Sequence, residues 1–126
     1  MRPSAGRYLA KQYARKVRRY FANAKRLAKE EHGESVDKAG EIVWGAAVLA
    51  IKTVAATKGQ ELRKSTDVMR YVEERMSDHD QTMLNQALAL HASFYGLERS
   101  NFDFILRETE AWVNDLFSDY GIERKR

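Results

Sequence analysis

Gly40-Glu41-Ile42-Val43-Trp44-Gly45-Ala46-Ala47-Val48-Leu49-Ala50-Ile51-Lys52-Thr53-Val54-Ala55-Ala56 is apolar on nearly every side of a helix, interrupted only by Glu41, Lys52 and Thr53. A helix hydrophobic all round belongs in the middle of a bundle, with neighbours on several sides. Its glycines, alanines and valines allow close helix approach, and Trp44 reads as its one large core anchor. A membrane span is the rival reading. The stretch is short for a bilayer and carries Lys52, so a buried helix and no membrane contact are expected.

The rest of the chain agrees with an all-α protein. Among 126 residues there is one proline, Pro3, and the composition is rich in good helix formers. A chain of this length makes one domain with a real core, placed over residues 1–126, about 4–119 ordered and 121–126 a frayed tail. The absence of cysteine excludes disulfides and thiolate metal sites. Three histidines far apart in sequence make zinc improbable, and no metal or cofactor is expected. The basic first residues have no apolar signal core behind them, so the expected location is the cytoplasm.

Five helices follow from the apolar spacing. The first runs from a Ser4 cap to about Glu31, with Leu9, Tyr13, Val17, Tyr20, Phe21, Ala24, Leu27 and Ala28 as its inner stripe and Gly33 as its stop. The second starts near an N-cap at Ser35 and ends near Thr57-Lys58-Gly59. Ser65 or Thr66 caps a short third helix, Asp67 to Met76. The polar turn Ser77-Asp78-His79-Asp80 caps a fourth, Gln81 to Tyr95, which Gly96 closes. Ser100 or Asn101 caps the last, whose inner stripe is Phe102, Ile105, Leu106, Thr109, Trp112, Val113, Leu116 and Phe117, and Gly121 ends it. The architecture expected is an up-and-down bundle.

Charge is distributed unevenly. Residues 1–29 hold ten Lys or Arg and no acid, whereas residues 30–126 hold 12 basic and 18 acidic residues. Such a split points to a basic face for an anionic partner. Arg7, Lys11, Arg15, Arg18, Arg19, Lys25, Arg26 and Lys29 form a row on the first helix that suits phosphate contacts, each releasing counterions. The alternative is a solvated face, or one paired with the acidic remainder of the protein or with a second subunit. Tyr8, Tyr13 and Tyr20 are interleaved with these cations. That pattern suits single-stranded nucleic acid and equally suits a bundle seam.

Two segments resemble an archaeal family of small helical proteins, the PaREP group, within the HEPN-like superfamily. One is Ser35-Val36-Asp37-Lys38-Ala39-Gly40-Glu41-Ile42-Val43-Trp44-Gly45-Ala46-Ala47-Val48-Leu49-Ala50-Ile51-Lys52, similar to the family's Trp-Gly-Ala core followed by Ile-Lys. The other is Ala89-Leu90-His91-Ala92-Ser93-Phe94-Tyr95, similar to its Leu-His-x-x-Phe-Tyr segment. The resemblance covers roughly residues 5 to 118. It implies an up-and-down bundle, often dimeric, in a superfamily whose roles run from ribonuclease toxins to RNA binding and partnership with nucleotidyltransferases. Nuclease members carry Arg, four to six residues, then His on a late helix. Here Gln86 stands at the nearest such position before His91, while Arg75 is too close to His79 and Arg70 too far. Arg26 and His32 fit the spacing at the end of the wrong helix. The chain is therefore expected not to be an enzyme of that kind.

The remaining candidates are single residues. His91, on a mostly apolar face, is either a hydrogen-bonded core histidine or a general acid or base at a subunit groove. Lys52, with Tyr95 as a possible groove partner, either snorkels to the surface or pairs with Glu41 or Glu108. Trp44, Trp112, Phe94 and Phe102 read as core. The function that fits best is a binding module that engages RNA or another nucleic acid through the first helix. The alternatives are a ribonuclease using His91, and an antitoxin or nucleotidyltransferase companion acting by protein pairing. Long apolar stripes beside a helix apolar all round point to a symmetric homodimer.

Overall fold

Pro3 starts the first of five helices: α1 (Pro3–Ala28), α2 (Gly33–Thr57), α3 (Ser65–Arg75), α4 (Asp78–Ala92) and α5 (Arg99–Asp119). The computed structural model describes residues 2–30, 33–92 and 99–123, with the side chains of 33–35, 92, 99 and 100 outside that description. Among the described residues there is no strand. Helix takes up more than two thirds of the chain, and one hydrophobic cluster draws on all five helices.

The long helices run up and down in alternation. Tyr20 lies against Gly45, while Arg7 and Ala10 meet Thr57 and Lys58 at the other end, so α1 and α2 are antiparallel. Gly40 has no side chain to keep it from the Leu90 carbonyl, which fixes α2 against the top of α4. The indole N–H of Trp112 donates to Asp80 Oδ1 at 2.8 Å, which sets the foot of α4 beside the lower half of α5. Helix α2 touches every other helix, as its all-round apolarity requires. Val36–Thr57 is also long and apolar enough to cross a membrane on length and composition, contrary to the reading that it is too short, and 67% of its most apolar window is buried inside the bundle.

Helix α1 packs on α2 through a narrower face than the sequence suggests. Ala10, Ala14, Val17, Phe21, Ala24 and Ala28 are buried at alternating steps of four and three, the spacing of a coiled-coil seam. Leu9, Tyr13, Tyr20 and Leu27, expected inside, are half-buried at its edges. Alanines let the two backbones come close, which turns the larger residues to the flanks. Trp44 is likewise half-buried, and the buried indole is that of Trp112.

Several boundaries move for local reasons. Arg2, extended as a residue before proline must be, is the N-cap of α1, and Ser4 lies inside the helix. Helix α1 stops at Ala28, and Gly33 begins α2 instead of ending α1. Lys64 is the N-cap of α3, its N–H bonded to Asp67 Oδ2 at 3.2 Å. Helix α4 starts at Asp78 because Ser77 and Asp80 form a reciprocal cap: the Asp80 N–H donates to Ser77 Oγ at 3.1 Å, and the Ser77 N–H to Asp80 Oδ2 at 3.2 Å. The start of α5 precedes Asn101. Side-chain caps at Ser35 and Ser100, and the stop at Gly96, lie outside the described residues.

Gly59 and Gly121 take positive φ, 79° and 68°, and close α2 and α5 in the same way. The N–H groups of Gly59 and Gln60 reach back to Ala56 and Ala55, and those of Gly121 and Ile122 to Ser118 and Phe117. These paired bonds satisfy two of the last-turn carbonyls of each helix. Residues 121–123 are therefore held to the bundle and are not part of a frayed tail; the Glu123 N–H also reaches Phe117 O at 3.1 Å.

Candidate nucleic-acid interface

The basic row of α1 divides into two sets. Its buried seam faces α2, so the cations stand on the flanks and the back. One flank looks toward α5. There the Arg18 guanidinium donates from Nε to both Glu123 oxygens, at 3.0 and 3.2 Å, from Nη2 to the same carboxylate and from Nη1 to Asn114 Oδ1. It also lies 5.4 Å from the centre of the Phe117 ring, where a cation is attracted by the ring's negative face. One turn-pair further up, Lys25 Nζ meets Glu110 at 2.6 Å. Arg18 and Lys25, expected to bind nucleic acid, are thus engaged within the bundle. Arg26 makes a loose surface pair with Glu30 at 3.9 Å, and Lys29 is exposed.

The back of α1 is different. Gln12, Tyr13, Arg15, Lys16 and Arg19 line a shallow hollow of about 500 Å³. Arg15, Lys16 and Arg19 are exposed, and among the described residues no acid pairs with them. Tyr13 is half-buried between these cations, and Tyr8, a turn earlier, is 67% exposed. The structure therefore places Arg15 and Arg19 of the predicted row, together with Lys16, beside a half-buried aromatic. It places Arg7 and Lys11 elsewhere, in a cavity at the foot of the bundle shared with α2 and α5.

His91 is not a core histidine. It is half-exposed in the last turn of α4, with Nδ1 2.8 Å from Glu41 Oε2 and its ring stacked on Trp44 at 5.8 Å between centroids. The pairing turns Nε2 away from the carboxylate. Lys52 snorkels as expected: Nζ reaches the Arg63 carbonyl at 3.4 Å, and its contact is with neither Glu41 nor Glu108. Tyr95, Phe94 and His32 lie outside the described residues. Among the described residues no group of three His, Asp or Glu side chains is placed to hold a metal ion.

Two tyrosines at the foot of the bundle are perturbed. Burial raises the Tyr71 hydroxyl above its ordinary pKa, helped by Tyr120 and opposed by Arg75. Burial also raises Tyr120, with Asp80 and Asp119 adding to it.

The Arg18–Glu123 and Lys25–Glu110 pairs had no signal in the sequence. Their partners are 105 and 85 residues apart, and no periodicity within one helix relates them. Asp80 could be read as a cap but not as the acceptor for Trp112. No family model, curated protein or solved structure matches the chain.

Proposed function

We propose that this chain is a small helical binding module that engages RNA or another nucleic acid through the back of α1. The observation that carries this reading is the exposed set Arg15, Lys16 and Arg19 around Tyr13, which no acid among the described residues pairs, next to cations that the bundle uses internally. Exposed guanidinium groups can grip phosphate with two parallel hydrogen bonds, and the tyrosine offers a stacking face to an unpaired base. The resemblance of Ser35–Lys52 and Ala89–Tyr95 to the PaREP group supports a HEPN-like module with the same kind of partner.

Anisotropy with labelled single-stranded RNA and DNA at several salt concentrations tests it. Affinity falls with salt by roughly 0.7 log units per decade for each phosphate neutralised on a single strand. Replacing Arg15, Lys16 and Arg19 with Gln flattens that slope and weakens all sequences alike. A triple variant that binds as tightly, with the same slope, rules the interface out.

The Glu41–His91 pair favours a second reading, a ribonuclease in which Glu41 orients the imidazole as general base. In that case His91→Ala abolishes RNA cleavage and leaves binding intact. The outer stripe of α2 favours pairing of two copies. Glu41, Trp44, Val48 and Lys52 follow one face, with opposite charges at its ends and apolar groups between. A second copy related by a twofold axis sets Glu41 against the partner's Lys52 at both ends. Glu41 uses Oε2 for His91, so its other oxygen can take that contact. Lys52→Glu then converts a dimer to a monomer by light scattering, and a wild-type monomer at tens of micromolar overturns the pairing.

A further inference from the structure

We propose that the cavity at the foot of the bundle, between the start of α1 and the ends of α2 and α5, captures the C-terminal carboxylate of an apolar peptide segment. The cavity measures about 490 Å³, within the range of small-ligand sites. Arg7 and Lys11 line it from α1, one turn apart, and Lys58 from just past the end of α2. Asp119 is the one acid among its lining residues, and Ala10, Tyr120 and Ile122 supply apolar surface.

Among the described residues none of Arg7, Lys11 and Lys58 closes an ion pair or hydrogen-bonds to a helix-end carbonyl. The bridging to α5 is done further up α1, by Arg18 and Lys25. Lys58 has a ring contact, its Nζ lying 5.7 Å from the centre of Tyr120. A merely solvated row spreads along one helix face, whereas these three cations come from two elements onto one concavity. The backbone beside them is spent. The N–H groups of Lys58, Tyr120, Gly121 and Ile122 all bond back to carbonyls of their own helices. An anion in the cavity is therefore gripped by side chains.

Charge and donor pattern together indicate the ligand. Three cations, set against Asp119 and two helix C-termini of about half a negative charge each, leave about one positive charge. One carboxylate balances that, whereas a phosphate monoester, at about −1.5 to −2, exceeds it. Arginine meets a carboxylate with two parallel hydrogen bonds, and the lysines add point charges. Two further polar groups of the cavity accept hydrogen bonds. Asp119 is a carboxylate, and Thr57 donates its own proton to the Val54 carbonyl at 2.6 Å, which leaves Oγ1 only accepting capacity toward a ligand. The ligand thus carries one carboxylate, N–H donors beside it, and an aliphatic group for Ala10 and Ile122. The end of a polypeptide has that combination in its α-carboxylate, its last amides and its last side chain. A free amino acid brings a full ammonium into a positive cavity, and a simple dicarboxylate brings no N–H donor. A segment as basic as Arg124-Lys125-Arg126 would add three positive charges, so the occupant is an apolar end of another polypeptide. The inference stands on a different cavity from the back of α1 and does not depend on it.

Anisotropy of an N-terminally labelled Gly-Ser-Ala-Ile probe, titrated with the full chain, tests the assignment. The free acid binds at one saturable site, and the C-terminal amide binds at least about tenfold more weakly for want of the charged hydrogen bonds. Methylating the last amide nitrogen, which removes a donor to Asp119 or Thr57, weakens binding by about threefold or more. Replacing the last residue of the probe with Lys also weakens it, because the cavity is positive and its wall is apolar. Arg7→Gln with Lys11→Gln lowers affinity for the acid at least about tenfold, while Arg15→Gln with Arg19→Gln on the back of α1 leaves it unchanged. All four residues are exposed, and circular dichroism confirms that both variants keep their helices. Binding of the acid weaker than about 1 mM overturns the proposal. So does equal binding of acid and amide, displacement of the probe by inorganic phosphate as effective as by the unlabelled acid, or an Arg7 and Lys11 variant that binds the acid as tightly as the parent.

Discussion

Arg18 and Arg19 are neighbours in the chain and stand about 100° apart around α1. Arg18 leans over Phe117 and closes on Glu123 and Asn114, so it ties α1 to α5. Arg19 meets no acid among the described residues and lines the hollow beside Tyr13. The bundle explains the difference. Helix α1 packs its backbone closely on α2 and not on α5, so the gap toward α5 is bridged by long charged side chains. Among the described residues the back of α1 has no neighbour to bridge to. Which cations of one basic helix are structural is thus decided by where the seam of that helix points.

The largest effect that bears on this comparison comes from the seam itself. Phe21 is 1% exposed on the α1 seam, and Phe21→Ala is expected to cost about 3–5 kcal/mol by denaturant titration. Trp44→Ala, by contrast, is expected to cost about half that, since Trp44 is only part-buried and rests on His91. Equal losses would mean that the seam is not where α1 is held, and the division of its flanks would lose its cause.

A smaller effect is expected at the place that sets α5 against α4. Asp80 accepts the indole N–H of buried Trp112 and also caps α4. Asp80→Ala leaves that donor without a partner and removes the cap, at about 2–4 kcal/mol together. Asp80→Asn keeps an acceptor for the indole and loses less. If both variants are as stable as the parent, α5 is positioned by packing alone.

The arginine pair gives the sharpest contrast. Arg18→Ala removes a part-exposed pair, a second hydrogen bond and a ring contact, and it is expected to cost about 1 kcal/mol. Arg19→Ala is expected to change stability by less than about 0.5 kcal/mol. Nucleic-acid affinity is expected to rank them in the reverse order. Should Arg18→Ala reduce affinity more than Arg19→Ala at unchanged stability, the two flanks exchange roles.

The sequence made the frame legible wherever one residue property governed. The all-round apolarity of Ile42 to Ala56 identified the central helix, and α2 does touch every other element. Gly59 and Gly121 marked helix ends because only a positive φ fits there. The apolar stripe legible in α1 includes Val17, Phe21, Ala24 and Ala28 of the seam but not Ala10 and Ala14, where close approach of α2 selects small residues and leaves Leu9 and Tyr13 on the flank. The basic row was legible as a row. Its division was not, since Glu110, Asn114 and Glu123 reach it only across the fold. The cavity holding Arg7, Lys11 and Lys58 was hidden for the same reason, being assembled from three helix ends.

The smallest effect concerns the foot of α5, below the Arg18 tie. Tyr71 and Tyr120 are both held protonated, chiefly by burial, and Asp80 and Asp119 add to the push on Tyr120. Their folded values lie above the ordinary 10.0, so as pH rises the unfolded chain loses these protons first. The unfolded state then binds fewer protons than the native one, and stability falls. Below the ordinary value both states keep the protons and the two groups make no difference to the pH dependence. The loss begins near pH 10 and continues up through the raised folded values. Thermal unfolding at about pH 9 and about pH 11 isolates this contribution, since lysine titration is common to all variants. Tyr120→Phe is expected to reduce the drop in Tm over that interval, and Tyr71→Phe with Tyr120→Phe to reduce it further. Asp80→Asn removes one charge that raises Tyr120 and acts in the same direction by a smaller amount. Arg19→Ala, on the back of α1 and away from this end, leaves the drop unchanged. A double phenylalanine variant that loses as much stability as the parent would show that neither hydroxyl is held back by the fold.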